Sequence, residues 1–407
     1  MQKKSDMKTP IVDFLEQYKN SDTARLHMPG HKGSGTGFAN IPGWLSDIFA
    51  YDITEVKGAD DLYHPSGIIE ESEKNASGIY GTDTFYVTEG STQAIKAMIW
   101  LAKRHWEKSL PESSDEETGQ VFHPYMFVVG KFHKALLYAA TLLDVTLVKI
   151  EEENLSANEI INKIYDNSVQ EINPIGVYVT YPDYFGKVSD IASLKRELWP
   201  INIPLLTDGA HSAYFKFLDA DKYPEYLHPT DCLADISVTS AHKTLPTLTG
   251  AAYLHINESF SDVIPEAKYA LDMFGSSSPS YLIMASLDAF NAEAESFMKA
   301  LGTFCEKVDV LKKEISEMGF NVSESDPLRI VVRSDDRFSG NDIAVSLRDH
   351  RCEPECSDDD YVVMMLTPYN CDEDLERIKG AFLSLKSSGA EYYEKDENGY
   401  NCLRNFF

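Results

Sequence analysis

A lysine, a histidine and a serine stand together just past an apolar segment of the chain. Residues 234–238 alternate apolar and polar side chains and include β-branched residues, which predicts a buried strand. Ser240, His242 and Lys243 follow it in a predicted loop, at the carboxyl end where open α/β sheets bind ligands. A lysine in this position can form a Schiff base with an aldehyde cofactor. Taken alone, an adjacent histidine and lysine are more typical of a solvated loop.

An aspartate provides a second candidate site upstream of Lys243. Asp208 ends another short apolar segment, residues 204–207, and one further segment fits between Asp208 and Lys243. The two residues can therefore end neighbouring strands on one edge of a parallel sheet. Pyridoxal phosphate chemistry needs a lysine that binds the aldehyde and an acid that keeps the pyridine nitrogen protonated. By itself, Asp208 is more typical of a helix cap or a surface acid.

Two other segments have the same strand, turn and helix pattern. Gly90, Ser91 and Thr92 follow a predicted strand, and the free N–H groups of the helix start there attract anions such as phosphate. His133 stands between a strand and a helix and offers a flat ring that can stack on a flat cofactor. Singly, these residues are more typical of ordinary N-caps and of a loop or core histidine.

Together these elements resemble the ornithine/lysine/arginine decarboxylase family of pyridoxal phosphate enzymes, from about residue 25 to residue 385. The resemblance implies fold type I, the aspartate aminotransferase-like α/β fold, with a mostly parallel sheet in a large domain and a small α+β C-terminal domain. The further motifs that carry the resemblance occur in order at residues 26–33, 60–70, 277–282, 285–288, 353–355 and 361–363.

The resemblance also implies roles for individual residues. Lys243 is expected to form the Schiff base, Asp208 to pair with the pyridine nitrogen, and His133 to stack on the ring. Ala210 is expected on the opposite face of the ring, and His211 near the ring hydroxyl or the substrate. The residues expected at the phosphate are Gly90, Ser91, Thr92, Ser240 and His242, with Ser277 or Ser278 reaching the phosphate of a partner subunit.

The chain departs from the family pattern at several positions near these residues. Gly209 and Tyr214 stand where the family usually has glutamate and histidine, and Phe185 where aspartate is common. Pro246 and Gly250 replace a small residue and a glutamine. Family members also usually continue into a longer carboxyl-terminal region. None of the substitutions removes a primary cofactor group. The difference in length leaves the choice of substrate open.

The resemblance implies decarboxylation of arginine, lysine or ornithine to carbon dioxide and the corresponding amine. Such a reaction belongs to polyamine biosynthesis. The expected enzyme is a homodimer with shared active sites. The same ring-binding groups serve other pyridoxal phosphate reactions, so transamination or elimination is an alternative. A catalytically inactive regulatory homologue is a third possibility, because the family pattern is altered.

Charge and composition narrow the class of partner. The sequence has 37 lysines and arginines against 65 acidic residues, a net charge of −28, which argues against nucleic acid and suits a cationic amino acid. The same excess is more typical of a solvated acidic surface, because net charge does not identify a pocket. Cys352 and Cys356 lack a second closely spaced pair of metal ligands, so no metal is expected. The first residues are polar and no apolar run reaches membrane-spanning length, so we expect a cytoplasmic protein.

The pattern along the chain predicts three regions. An N-terminal arm, residues 1–50, contains a helix near residues 11–18 and a loop with Gly30, Gly33, Gly35 and Gly37. In the large cofactor-binding domain, residues 51–290, predicted helices alternate with strands near 84–88, 125–129, 145–150, 175–180, 203–207, 235–239 and 250–255. Residues 291–407 form a small domain with an exposed polar tail, and the acidic residues 112–117 are predicted to be a solvated loop.

Overall fold

The computed structural model describes residues 7–35, 40–110, 122–152, 155–167 and 173–388. The chain divides into two compact units. The first comprises Met1–Tyr181, Asp190–Lys216 and His228–Ala294, and the second comprises Pro182–Ser189, Phe217–Leu227 and Glu295–Phe407. The predicted boundaries at residues 50 and 290 stay a prediction.

The described α-helices are α1 (Pro10–Lys19), α2 (Gly43–Phe49), α3 (Ile68–Tyr80), α4 (Gly90–Ser109), α5 (Lys134–Leu143), α6 (Ala157–Asp166), α7 (Ile191–Leu198), α8 (Ala241–Thr244), α9 (Ala267–Met273), α10 (Tyr281–Glu317), α11 (Gly340–Asp349) and α12 (Asp372–Ser388). The strands are β1 (Asp83–Val87), β2 (Tyr125–Val129), β3 (Thr146–Ile150), β4 (Val177–Thr180), β5 (Leu205–Asp208), β6 (Ile236–Thr239), β7 (Ala252–Ile256), β8 (Asn321–Ser323), β9 (Arg329–Arg333), β10 (Cys356–Ser357) and β11 (Tyr361–Met365). Short 3-10 helices occur at Trp199–Ile201, Ala213–Phe217, Glu258–Phe260 and Ile264–Glu266.

The first unit is built around a seven-stranded sheet in the order β1-β7-β6-β5-β4-β2-β3. Strands β6, β5, β4, β2 and β3 are parallel, and β7 runs antiparallel to both of its neighbours. Every residue of β5, β6 and β7 is buried, as expected for central strands covered on both faces. The carboxyl ends of β1, β2, β4, β5 and β6 consequently lie on one edge of the sheet.

The second unit contains a four-stranded antiparallel sheet in the order β10-β11-β9-β8. Val331, Val363 and Tyr361 of this sheet form an apolar cluster with Tyr184 and Cys356. The mostly parallel large sheet and the smaller C-terminal sheet confirm the predicted fold class.

The predicted strands of the large sheet are confirmed within two residues at each end. The prediction that Lys243 lies in a loop is wrong, because residues 241–244 form the single helical turn α8. Gly37, the acidic residues 112–117 and the tail after Ser388 lie outside the described residues. Within the described ranges, no helix combines the length and hydrophobicity needed to cross a membrane.

Candidate active site

The candidate residues gather at the edge of the sheet where the parallel strands end. Asp208 is the last residue of β5, and Lys243 lies four residues beyond the end of β6. Strands β5 and β6 are hydrogen-bonded parallel neighbours, with Asp208 opposite Val238. The prediction that Asp208 and Lys243 follow adjacent strands is therefore confirmed, and His133 follows β2 at the same edge.

Asp208 is a buried carboxylate held at both of its oxygens. Its side chain is only 2% exposed. The Tyr178 hydroxyl donates to Oδ2 at 2.9 Å, and the backbone N–H of Ala210 donates to Oδ1 at 3.1 Å. These donors satisfy a buried charge and leave further lone pairs on the same two oxygens. Such a carboxylate can accept a hydrogen bond from a protonated pyridine nitrogen.

Lys243 is hydrogen-bonded to a histidine from the neighbouring strand end. Its Nζ lies 3.1 Å from Nε2 of His211, which is 5% exposed and follows β5 by three residues. Lys243 itself remains partly accessible. A lysine and a histidine at hydrogen-bonding distance can exchange a proton, which a nucleophilic amine requires. The family resemblance implied a position for His211 near the ring hydroxyl or the substrate, which stays a prediction; the structure shows its contact with Lys243.

His133 is a partly buried, neutral ring near the two charged residues. Its Nδ1 accepts the N–H of Ala135 at 3.2 Å and so caps helix α5, which puts the ring proton on Nε2. Burial lowers the pKa of His133, and the Lys243 charge lowers it further, while the charge of Asp208 raises it. All three residues are thus close enough to interact electrostatically. A neutral, fixed ring suits stacking on an aromatic cofactor.

His242 has a donor role on one side of its ring. Its Nδ1 donates to the carbonyl oxygen of Ala251 at 2.8 Å. Burial is the main cause that lowers the pKa of His242, and the Lys243 charge acts in the same direction. The neutral ring then carries a lone pair on Nε2. A direct contact from Nε2 to phosphate would need the protonated ring, which a nearby dianion favours.

The start of helix α4 offers backbone donors at the same edge. Gly90 has φ 72°, and no atom lies within 4 Å of the position a Cβ would take there. Its own N–H donates to the carbonyl of Gly250 at 2.8 Å, and Glu89 provides no side-chain cap. The N–H groups of Ser91 and Thr92 therefore belong to an uncapped helix start, where the helix dipole favours an anion.

Several buried hydroxyls around this edge fit a polar ligand. Among the described residues, the side-chain oxygens of Thr88, Thr180 and Ser240 are buried and have no hydrogen-bond partner. Thr88 follows β1, Thr180 ends β4 and Ser240 follows β6. Buried polar groups are normally paired, so unpaired hydroxyls at three strand ends suit hydrogen bonds to a bound polar molecule. Together with Lys243 and Asp208, they fit a pyridoxal phosphate.

Ser277 and Ser278 are exposed and precede helix α10. The segment is tied to the start of α4, because the N–H of Ser276 donates to Glu89 Oε1 at 2.5 Å. Tyr63 also donates to the carbonyl of Ser276 at 3.1 Å. The contact of Ser277 or Ser278 with a partner subunit's phosphate stays a prediction.

Two residues of β4 were not anticipated from the sequence. Tyr178 donates to Asp208, and Thr180 is the register partner of Asp208. The sequence carried only a weak signal for Tyr178 and Thr180. Both residues lie near the end of an apolar strand, but only the order and register of the strands place them beside Asp208.

Comparisons with known proteins identify the family of this chain. The sequence model described as Orn/Lys/Arg decarboxylase, major domain, matches residues 9–108 and 144–320, which is more than half of the chain. A Bacillus subtilis protein, YaaO, whose function is uncharacterized, is 29% identical over 88% of this chain and 74% of its own length. The arginine decarboxylase of Bacillus anthracis is 26% identical over 74% of this chain and 58% of its own length.

Among solved structures, the lysine decarboxylase of Francisella novicida superposes with a TM-score of 0.76 at 18% identity. The match covers 94% of this chain and 60% of that structure, so this chain spans under two thirds of the decarboxylase. The fold is that of the fold type I pyridoxal phosphate enzymes, as predicted. With the family sequence model matched along both segments, the chain belongs to the Orn/Lys/Arg decarboxylase family.

Proposed function

We propose that this protein is a pyridoxal phosphate-dependent decarboxylase of a basic amino acid, releasing carbon dioxide and the corresponding amine. The observation that carries the proposal is the juxtaposition of Asp208 and Lys243 at adjacent strand ends, with His211 hydrogen-bonded to Lys243. Membership of the family and the arginine and lysine decarboxylases among its relatives support the reaction class.

Each residue at the strand ends has a role in holding the cofactor. Lys243 would bind the aldehyde carbon through Nζ, and Asp208 would hold the proton of the pyridine nitrogen. His133 would lie against one face of the ring and Ala210 against the other. The phosphate would meet the uncapped start of α4 at Ser91 and Thr92, with Ser240 and His242 completing its donors. When bound, the cofactor supplies a conjugated system that accepts the electrons left by the departing carboxyl group.

His211 and Lys243 would move the protons of the reaction. His211 Nε2 can take a proton from Lys243 Nζ, which leaves the amine with the lone pair that it needs as a nucleophile. The same pair can return a proton to the substrate's α carbon after the carboxyl group has left. Their 3.1 Å separation requires no rearrangement for this exchange.

The substrate is proposed to be arginine, lysine or ornithine. The net charge of −28 raises the local concentration of cationic ligands, although it does not identify a pocket. We further propose a cytoplasmic homodimer in which Ser277 or Ser278 reaches the partner's phosphate. Gel filtration with light scattering tests the dimer independently of the chemistry.

The decisive assay measures carbon dioxide from amino acids labelled at the carboxyl carbon. Purified protein with pyridoxal phosphate is incubated with arginine, lysine or ornithine, and Lys243→Ala serves as the inactive control. Labelled carbon dioxide and the matching amine from one substrate would support the proposal. Formation of a keto acid would indicate transamination instead of decarboxylation. Cofactor binding without turnover of any substrate would favour a regulatory homologue.

A further inference from the structure

Tyr178 is a fully buried tyrosine whose phenol points at the key carboxylate. It lies on β4, between β2 and β5, and is paired in register with Val128 and Leu206. Its exposed fraction is 0%, and its hydroxyl donates to Asp208 Oδ2 at 2.9 Å. A side chain in this central strand cannot turn toward water without leaving the core. The phenol is therefore a fixed donor.

The two hydrogen bonds to Asp208 define the orientation of its carboxylate plane. Tyr178 holds Oδ2 from β4, while the N–H of Ala210 holds Oδ1 from the turn after β5. The donors approach from different segments, so rotation of the carboxylate would break at least one of them. Burial and the charge of Asp208 raise the pKa of Tyr178 well above its ordinary value. The phenol accordingly keeps its proton across the range in which enzymes work.

We infer that Tyr178 is a positioning residue that acts through Asp208, fixing the carboxylate toward the pyridine nitrogen. A hydrogen bond to a buried charged acceptor stabilises it more than one between neutral groups. Without the phenol, Asp208 would retain the Ala210 N–H alone and would gain freedom to rotate. The inference rests on the proposed function, because it requires a pyridine ring at Asp208.

A purely structural role for Tyr178 makes a different prediction. If the phenol only satisfies its own burial, Tyr178→Phe would affect every ligand of the site alike. If it acts through Asp208, the loss would depend on the ligand's ring nitrogen. The discriminating probe is therefore a pair of cofactors, pyridoxal phosphate and its 1-deaza analogue, in which carbon replaces that nitrogen.

The experiment measures the dissociation constants of both compounds for apoprotein by titration, with wild type and Tyr178→Phe. We expect Tyr178→Phe to raise the dissociation constant of pyridoxal phosphate about tenfold, equivalent to about 1.4 kcal/mol. The dissociation constant of the 1-deaza analogue should change less than twofold. Tyr253→Phe is the matched control, since Tyr253 is equally buried in β7 of the same sheet. It should leave both constants unchanged.

The outcomes separate this inference from the proposed function. Equal weakening of both compounds by Tyr178→Phe, or no weakening of either, would overturn the positioning role while leaving the cofactor assignment intact. A wild-type protein that does not bind pyridoxal phosphate would instead remove the proposed function. A kinetic readout adds to the test: kcat should fall about tenfold in Tyr178→Phe with the substrate KM nearly unchanged.

Discussion

At the scale of single residues, the proposed chemistry depends on a few contacts between neighbouring strand ends. Spacing along the chain predicted that Asp208 and Lys243 follow neighbouring parallel strands, and the pairing of β5 with β6 confirms it. The partners Tyr178 and His211 are a different case. Their contacts depend on strand order and side-chain direction, which no spacing within the sequence specifies.

Gly209 illustrates a substitution that the structure explains. A Cβ there would lie 2.5 Å from the Ser212 hydroxyl and 2.9 Å from the carbonyl oxygen of Val238. The turn after β5 thus packs directly on the backbone of β6. The glutamate usual in the family would not fit this turn unless neighbouring atoms moved. The close packing of the turn therefore explains the glycine at position 209.

Asp208→Asn should retain cofactor binding but slow decarboxylation. The amide keeps the shape of the side chain and loses the charge that holds a proton on the pyridine nitrogen. Removal of one preorganised electrostatic group typically costs about 10²–10³ in rate. Single-turnover carbon dioxide release measures this step, with Asp231→Asn, an exposed acid paired with Lys216, as the control. A rate within threefold of wild type would contradict the role of Asp208.

His211→Gln should bind pyridoxal phosphate normally and turn over slowly. Glutamine can still hydrogen-bond to Lys243 but cannot take its proton. A positioned acid or base typically contributes about 10²–10⁴ in rate. The pH profile of kcat in the variant should also lose one ionisation. An unchanged rate and profile would assign the proton transfer to another group.

At the scale of elements, alternating apolar segments predicted the strands of the large sheet well. The helical turn α8 escaped prediction, because four residues are too short for any helical period to appear in the sequence. The motif at residues 60–70 proves to be a helix cap: the carboxylate of Asp60 accepts the N–H groups of Ser66, Gly67 and Ile69 at the start of α3.

Gly250→Ala should destabilise the turn before β7, which is hydrogen-bonded to the start of helix α4. Gly250 has φ 99°, and a Cβ would lie 2.8 Å from the carbonyl oxygen of Thr88. Its carbonyl also accepts the N–H of Gly90, so displacement would disturb the expected phosphate site. We expect a loss of about 1–3 kcal/mol in the free energy of unfolding, measured by urea denaturation.

Gly302→Ala is the matched control for this prediction. Gly302 is exposed in the helix α10, and no atom lies within 4 Å of its Cβ position. Alanine should stabilise that helix by about 0.5–1 kcal/mol. A neutral or stabilising effect of Gly250→Ala would show that the turn tolerates a side chain and would contradict the constraint argued for it.

At the scale of the whole molecule, buried neutral histidines should make stability depend on pH. His228 and His255 are fully buried, and burial lowers the pKa of His255 to about 3 and that of His228 well below its ordinary value. Below about pH 6.5 these two histidines bind protons in the unfolded chain but stay neutral in the folded protein. Stability should therefore fall as the pH drops, by up to about 1.4 kcal/mol per pH unit for each histidine.

The contribution of His255 can be isolated by comparing wild type with His255→Gln in urea at pH 7 and pH 5. The destabilisation caused by acid should be smaller in the variant. Asp288 acts in the opposite direction, because burial raises its pKa to about 6, but the comparison cancels its effect. Equal acid destabilisation of both proteins would contradict the assignment to His255.

The proposed function requires that Lys243 holds pyridoxal phosphate. The most direct measurement is peptide mass spectrometry after the protein has been incubated with pyridoxal phosphate and reduced with borohydride. We expect a stable pyridoxyl group on Lys243, and none in the Lys243→Ala variant. Modification at other lysines with Lys243 untouched, or equal labelling of the variant, would contradict it.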